Sequence, residues 1–396
     1  RFASRALAGV GVAFYVMAAL RRELEARGEG VSPAVADFLD LVALGTVADL
    51  VPLDVNNRVL VAQGIRRIRA GRAVPGIRAL LAIAGRAPSS VIAADLGFSI
   101  GPRLNAAGRL DDMSIGIRCL LTDSETEALA LATRLDQLNV ERREIEAKMQ
   151  GAALAAVSSL RHHGQQGDPG GPVRHGVCLF DPDWHQGVVG LVAGRIKERV
   201  RRPVIAFARA GDGQLRGSAR SVPGIHIRDV LDGIAARRPE LINRFGGHAM
   251  AAGLSLEERH LDEFAAAFDA EVASLHDPAI PSNRVETDGE LTSDEIALET
   301  AQALRDGGPW GQAFPEPSFD GRFAIKSARV VGDKHLKMWV TTTDRSRAFD
   351  AIAFNFKGVD DDVPLPDGDV HLVYRLDINE YKGERRLQLL VDHVLK

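Results

Sequence analysis

The sequence predicts a multidomain α/β protein: helices through the first third, one long connecting helix, an α/β domain, and a small closed β-barrel at the end. Three observations carry that prediction. Apolar residues recur at helical spacing over residues 8–27, 35–48 and "NNRVLVAQGIRRIRAG", and a further helical pattern runs from Ser124 to about Leu160. "GVCLF" and "RPVIAFA" then flank the helix pattern "HQGVVGLVAGRIKERV", the strand, helix, strand unit of a parallel or mixed sheet. Towards the end the period changes to alternation, in runs joined by Gly and Asp turns. At 396 residues the chain is also too long for one ordinary core.

In order, residues 8–27 read as an amphipathic helix, and residues 35–48 as a second that leads into a turn at Asp49. "NNRVLVAQGIRRIRAG" is a third, with Arg66, Arg67 and Arg69 towards its end and Gly71 as its stop. "DLGFSIGPRLNAAGRLDD", punctuated by Gly101, Pro102 and Gly108, reads as a structured loop. From Ser124 to about Leu160 the chain is rich in Ala, Leu, Glu, Arg and Gln without Pro, which predicts the long connecting helix. The polar, Gly- and Pro-rich "RHHGQQGDPGGPVRHG" marks a domain boundary, and the α/β domain runs on to about Pro278. After "HDPAIPSNR", the stretches "FDGRFAIKSARVVGDKHLKMWVTTT", "RAFDAIAFNF", "DVHLVYRLDINEY" and "RRLQLLVDHVL" supply about five strands. They suggest a barrel of the oligonucleotide/oligosaccharide-binding (OB) kind.

Composition narrows the function without naming it. A formal charge of -4 gives no global sign of nucleic-acid binding, so any such activity must come from local basic patches. Cys119 and Cys178 form no metal-ligand spacing and no disulfide framework, which fits a reducing cytoplasm. No apolar run reaches the length of a membrane span, so no membrane partner is expected.

The candidate chemistry lies in four places. "LVALGTVADLVPL" sets one carboxylate, Asp49, into an apolar run; burial there demands a partner, either a backbone donor or a metal ion with further ligands. "GPRLNAAGR" offers Arg103, Asn105 and Arg109 on a Gly-punctuated backbone, a candidate phosphate clamp because the arginine forks match phosphate oxygens. "LRGSARS" alternates Arg216, Ser218, Arg220 and Ser221, as an oxyanion-binding edge would. "RFGGHAMAAG" places Gly246 and Gly247 before His248, where backbone N–H groups can approach a phosphate; a tight turn into a packed helix is the alternative. His162 and His163 read as a solvated loop, and "RIKERVRR" as a solvated helix face.

Taken in order, Asp49, "NAAGR", "GSARS" and "GGHAMAAG" resemble the RecJ family, single-strand-specific 5′ exonucleases of the DHH phosphoesterase superfamily. The likeness runs from about Leu7 to Lys396 and includes "GPRLNAAGRLDDMS", "WHQGVVGLVAGRIKER" and "LRDGGPWGQAFPEPSFDG". It implies a remnant of a DHH α/β catalytic domain over residues 1–123 and a connecting helix over 124–160. A DHHA1 α/β substrate-binding domain would follow over 174–278, and a C-terminal OB-type β-barrel over 284–396. The implied reaction is 5′→3′ hydrolysis of single-stranded DNA in recombination and repair, with two Mn2+ or Mg2+ ions as cofactors.

By the same resemblance Asp49 is a metal ligand, and Asn105 and Arg109 are catalytic residues at the scissile region. Arg103, His185, Arg216, Ser218, Arg220, Gly246, Gly247 and His248 bind the strand, His185 being carried over only because it opens a matching motif. Single-stranded DNA is the implied partner of a cytoplasmic monomer, with a single-strand-binding protein and a helicase as helpers.

The family's DxD pair, a further Asp and the DHH triplet do not occur in this chain, and "DPD" at Asp181 to Asp183 lies in the wrong domain to replace them. One carboxylate cannot hold two ions. The expectation is therefore that the remaining ligands belong to a missing N-terminal segment, that this polypeptide alone is inactive, and that residues 1–123 expose apolar surface. Two alternatives stand beside this reading. One is a phosphodiesterase of short oligonucleotides or cyclic dinucleotides, against which the barrel argues. The other is a noncatalytic single-strand-binding module. With aromatic residues at 5%, stacking falls to Trp310, Trp339, Tyr374 and Tyr381, unless these are core.

Overall fold

Helical periodicity becomes helix through the first third of the chain. The structure, a computed structural model, describes residues 2, 4–29, 33–163, 175–275, 285–332, 335–354, 356, 365–381 and 384–395. By contact density it divides into two units: Arg1–Asn105, Ser114–Asp136 and Val285–Lys396 form one, Ala106–Met113 and Gln137–Arg284 the other.

The helices of the first third are α1 (Gly9–Ala26), α2 (Leu39–Ala48), α3 (Val55–Arg69), α4 (Pro75–Ile83), the short α5 (Ala93–Asp95), α6 (Gly101–Leu110) and α7 (Ser114–Leu121). They lead into α8 (Glu125–His163). Asp54 caps α3 by accepting the Asn57 N–H at 2.9 Å, and Pro75 opens α4 where its missing N–H costs no bond.

Two expectations are corrected here. "DLGFSIGPRLNAAGRLDD" is helical and not a loop, because Leu96, Ile100 and Leu104, four apart, bury one face, and Pro102 falls in the first turn of α6. The backbone of α8 continues to His163, past the end predicted near Leu160, so His162 and His163 end a helix and do not begin a loop. The boundary stretches 164–174 and 276–284 lie outside the described residues.

The apolar run around Asp49 holds a third correction. Asp49 ends α2 and is exposed, whereas Asp40, one residue before the run, is fully buried. Asp40 accepts the N–H of Leu41 at 2.8 Å and that of Val74 at 2.7 Å, which ties α2 to the start of α4. The buried carboxylate is a structural one.

The same unit contains α12 (Leu298–Gly307) and the strands β6 (Phe319–Val331), β7 (His335–Thr342), β8 (Ala348–Ala353), β9 (Gly368–Tyr381) and β10 (Glu384–Leu395). They close into a barrel of order β10-β8-β7-β6-β9, with β8 and β10 parallel and the other described pairs antiparallel. Phe323, Phe349, Leu372 and Tyr374 fill it. Ahead of the barrel, the Leu53 N–H donates to the Gln312 carbonyl at 2.7 Å, and the Arg58 guanidinium lies 3.7 Å from the Phe314 ring centroid.

The second unit is built on a five-stranded sheet of order β1-β2-β3-β5-β4. Its strands are β1 (Val177–Phe180), β2 (Val204–Gly211), β3 (Gln214–Arg220), β4 (Arg244–Gly247) and β5 (Ala251–Glu257). β1 and β2 are parallel, joined through α9 (Val189–Val200), and the other described pairs are antiparallel. One face packs on α10 (Ile227–Arg237) and α11 (Leu261–Leu275) around Phe207, Phe264 and Phe268. The other packs on α8 and α9, through Val204, Ala206, Val192 and Ile196.

Candidate nucleic-acid interface

Alternation along a strand sends every second side chain to the same face, and here one face is only partly covered. β3 turns Arg216, Ser218 and Arg220 to the side on which α8 and α9 pack. The register continues this face outward: Ser218 pairs with Gly253 and Gly253 with Gly246, while Arg216 pairs with Ser255 and Ser255 with Arg244. Arg216, Gly253, Gly246 and Arg244 are exposed. Two bare glycines, in the row beside Arg216, Ser255 and Arg244, make a flat shelf on which a backbone phosphate can approach the sheet.

At the inner end of the shelf the charge is concentrated. Arg220 donates through Nη1 to Ser218 Oγ at 3.0 Å and to its neighbour's carbonyl, at Ala219, at 2.8 Å. Arg109, near the end of α6, donates through Nη1 to the Gly187 carbonyl at 2.9 Å. Burial lowers the pKa of both guanidiniums; the Arg220 shift is deepened by Arg109, and the Arg109 shift by Arg142. Glu146 partly offsets this, accepting from Arg142 at 2.6 Å and from Arg195 at 3.3 Å. Four guanidiniums against one carboxylate leave excess positive charge, which an anion would relieve.

The first turn of α9 faces the same group. A Cβ at Gly190 would lie 2.9 Å from Ser218 Oγ and 3.0 Å from Arg220 Nη2, so only glycine lets these groups close on the helix start. No side chain caps α9, a 12-residue helix, so its N-terminal partial charge adds to that of the guanidiniums.

The remaining candidates fall in different places. His185 is exposed, and its Nδ1 accepts the Gly187 N–H at 3.1 Å, so it shapes the turn that precedes α9. His248 is exposed in the turn between β4 and β5, its N–H donating to Ala251 O at 2.9 Å. "RFGGHAMAAG" is thus a β-hairpin, which corrects the alternative of a turn into a helix. Gly247 has φ +155°, and a Cβ there would meet Ala251 O and Ala252 Cα at 2.5 Å, so that glycine serves the hairpin itself. Ser221 is buried and donates to Ile225 O at 2.6 Å, so it has left the oxyanion edge read into "LRGSARS".

In the first unit, Arg103 is engaged by Asp136 at 2.8 Å and by Ser99 O at 2.6 Å. Asn105 is exposed on α6, one turn before Arg109. Asp49 is exposed, and among the described residues no group of three His, Cys, Asp or Glu side chains is placed to hold a metal ion.

Sequence reading missed Gly190, Gly253, Arg244 and Arg142. Gly253 and Arg244 close and open the motif that contains Gly246, and strand register alone would have found them. Arg142 carries no signal in a helix rich in Arg and Glu.

Known proteins resemble the chain throughout. Residues 173–274 match the DHHA1 domain family, and residues 287–393 match the RecJ OB domain family. The single-stranded-DNA-specific exonuclease RecJ of Salmonella typhimurium is 52% identical over 99% of this chain and 68% of its own length. That of Escherichia coli is 51% identical with the same coverage. The crystal structure of RecJ from Thermus thermophilus in complex with Mg2+ matches with a TM-score of 0.78 at 31% identity, covering 100% of this chain and 57% of that one. The Mn2+ complex from the same organism gives 0.76.

Proposed function

The chain belongs to the RecJ family of single-stranded-DNA-specific exonucleases, and from that premise we propose that its second unit seats the 5′ end of a DNA strand for 5′→3′ hydrolysis. One observation carries the proposal: Arg220 and Ser218 close on Gly190 at the start of α9, and the half-buried Arg109 lies near enough to repel the half-buried Arg220. Such a group takes a terminal phosphate. The Arg220 fork and the Ser218 hydroxyl bond its oxygens, the α9 N-terminus adds its dipole, and Arg109 neutralises the remaining charge.

A fixed terminal phosphate sets the register of the strand, so that the next phosphodiester is presented in the same place at each cycle. The shelf of Gly253 and Gly246, flanked by Arg216 and Arg244, carries the backbone onward. In this reading His185 and His248 border the strand, and Gly247 holds the hairpin that supports the shelf. The catalytic role of Asn105, beside Arg109, and a strand contact by Arg103 rest on the resemblance.

The same reading keeps the domain division 1–123, 124–160, 174–278 and 284–396, supported by the DHHA1 match at 173–274 and the OB match at 287–393. The barrel supports a long strand over a short oligonucleotide or cyclic dinucleotide. A cytoplasmic monomer that cooperates with a single-strand-binding protein and a helicase completes the proposal on the family's pattern.

The Thermus relative holds Mg2+ or Mn2+, and we assign this protein divalent ions, two in number, with Asp49 offering one oxygen. Such ions take about six oxygen ligands. The described residues do not supply them, so they do not by themselves fit the ions, and the roles derived above belong to the strand and not to the metal.

The test compares the affinity of the chain for 5′-phosphorylated and 5′-hydroxyl single strands. A preference for the phosphate that disappears in Arg220→Ala supports the reading, and equal affinities in the unaltered chain overturn the pocket. Mn2+-dependent nucleotide release, measured with and without an added segment carrying the family's DxD and DHH motifs, tests the hydrolysis.

A further inference from the structure

The pocket assigned above to a terminal phosphate contains a group that works against one. Glu146, on α8, is only 9% exposed. Its Oε2 accepts from Arg142 Nη1 at 2.6 Å and its Oε1 from Arg195 Nε at 3.3 Å. Its charge reaches Arg109, whose pKa burial and Arg142 lower and Glu146 raises in part. A carboxylate so placed repels any anion that the arginines attract, and burial lessens the screening by water.

Fold stability explains little of this. Arg142 precedes Glu146 by four residues, the order of charges that stabilises a helix less. Arg142 is also held without the carboxylate, since its Nη2 donates to the buried Asn139 at 3.1 Å. Charge explains more. Arg109, Arg142 and Arg220 are partly buried, whereas Arg195 is exposed and largely screened. Three guanidiniums with Glu146 leave a charge close to the reverse of that on a phosphate monoester, about -1.5 to -2 near pH 7. Without the carboxylate the pocket would exceed that charge and hold its occupant harder.

Stepwise hydrolysis from a 5′ end has to empty this pocket at every cycle. For the shortened strand to be seated again, the break must leave a phosphate on its new end: water adds to the phosphorus of the second nucleotide, and the 3′ oxygen of the first departs and takes a proton. The phosphate already in the pocket then leaves with the released mononucleotide. We propose that Glu146 sets the hold of the pocket, its charge weakening the grip on a terminal phosphate so that the mononucleotide leaves and the strand advances. The inference rests on the 5′-phosphate reading above and adds the residue that governs release.

The experiment uses the full chain and two single strands, alike except for a 5′-phosphate or a 5′-hydroxyl, and reads their dissociation rates without added divalent ions. In Glu146→Gln the phosphorylated strand should leave about tenfold more slowly, and the hydroxyl strand at nearly its former rate. Glu146→Asp keeps the charge and should keep the ratio of the two rates. Arg142→Gln with Glu146→Gln removes one charge of each sign and should return the ratio most of the way to that of the unaltered chain. This pair leaves no buried charge unmatched, so it carries the test if near-UV circular dichroism shows that the single variant has not folded. A residue that only held Arg142 in place would have the opposite sign, with the phosphorylated strand leaving faster in Glu146→Gln. That result, equal slowing of both strands, or a ratio that collapses in the paired variant overturns the role of Glu146 and leaves the pocket standing. Equal rates for the two strands in the unaltered chain overturn the pocket and this inference together.

Discussion

The sheet of the second unit and the barrel of the first face solvent by the same rule, alternation along a strand, yet they offer opposite chemistry. The sheet is open and its helices leave part of one face bare, so its outward residues form a flat field of Arg216, Ser218, Gly253, Gly246 and Arg244. Flatness and glycine admit a backbone, and guanidinium forks match phosphate. The barrel is closed and curved, and on its outward side Trp339 is exposed beside the partly buried Asp350, while Gln388 is buried. An exposed indole has little to offer a phosphate and a face on which any base can stack. The difference teaches that overall charge, at -4, was the wrong scale on which to look for a nucleic-acid surface.

Breaking the sheet should have the largest effect. Gly247→Ala places a Cβ 2.5 Å from backbone atoms of Ala251 and Ala252 at φ +155°, and these atoms cannot give way as a side-chain tip can. The expected loss of stability is about 3 kcal/mol, read as an early urea transition, and preference for a 5′-phosphate should fall with the hairpin. An unchanged midpoint would show that the β4–β5 turn relaxes freely. Gly190→Ala is gentler, since the atoms nearest its new Cβ are the side-chain ends Ser218 Oγ and Arg220 Nη2. It should leave the urea midpoint in place and cost about tenfold in affinity for a 5′-phosphorylated strand. An equal loss for a 5′-hydroxyl strand would place the phosphate elsewhere.

Much of this was legible in residues. The five barrel strands, the strand, helix, strand unit and the arginines of "LRGSARS" all follow from period and residue type. What misled was punctuation and proximity. Gly101, Pro102 and Gly108 hid a helix whose buried face at Leu96, Ile100 and Leu104 was visible in the spacing. Asp49 was expected to be buried because apolar letters surround it, but a helix end turned it to solvent, and Asp40 was the buried carboxylate that needed donors. Ser221 looked like the last of an alternating set and was instead the first residue of a buried turn. The excess charge around Arg109 could not be read at all, because Arg142, Arg195, Arg220 and Glu146 come from three elements that only packing brings together. Tyr374, one of four candidate stacking residues, is wholly buried, and burial pushes its hydroxyl pKa up.

Salt dependence sharpens the contrast further. Each phosphate neutralised on a single strand adds about 0.7 to the slope of log affinity against log salt. Arg216→Ala with Arg244→Ala should therefore flatten the slope by about 1.4 while costing only a few-fold in affinity at moderate salt. Trp339→Ala should lower affinity and leave the slope alone. If the barrel substitution changed the slope and the sheet substitutions did not, the division between phosphate and base surfaces would be reversed.

The smallest expected effect concerns acid, and it belongs to the barrel. Asp320 accepts the Thr287 hydroxyl and meets His371 Nε2 at 2.7 Å. The Thr287 bond first, and then the His371 contact, hold its carboxyl below the usual range. A carboxyl depressed in the folded state contributes its full stability above the unfolded value, near pH 4, and loses it as pH falls through the folded value. The pair is partly exposed, so the contribution is modest. Between pH 6 and pH 5 the urea midpoint of Asp320→Asn should lie slightly below that of the unaltered chain by a constant margin. Below about pH 4 the two should converge. A margin that persists into acid would mean that Asp320 acts through packing and not through its charge. The bond between β6 and β9 would then owe nothing to the carboxylate's ionisation.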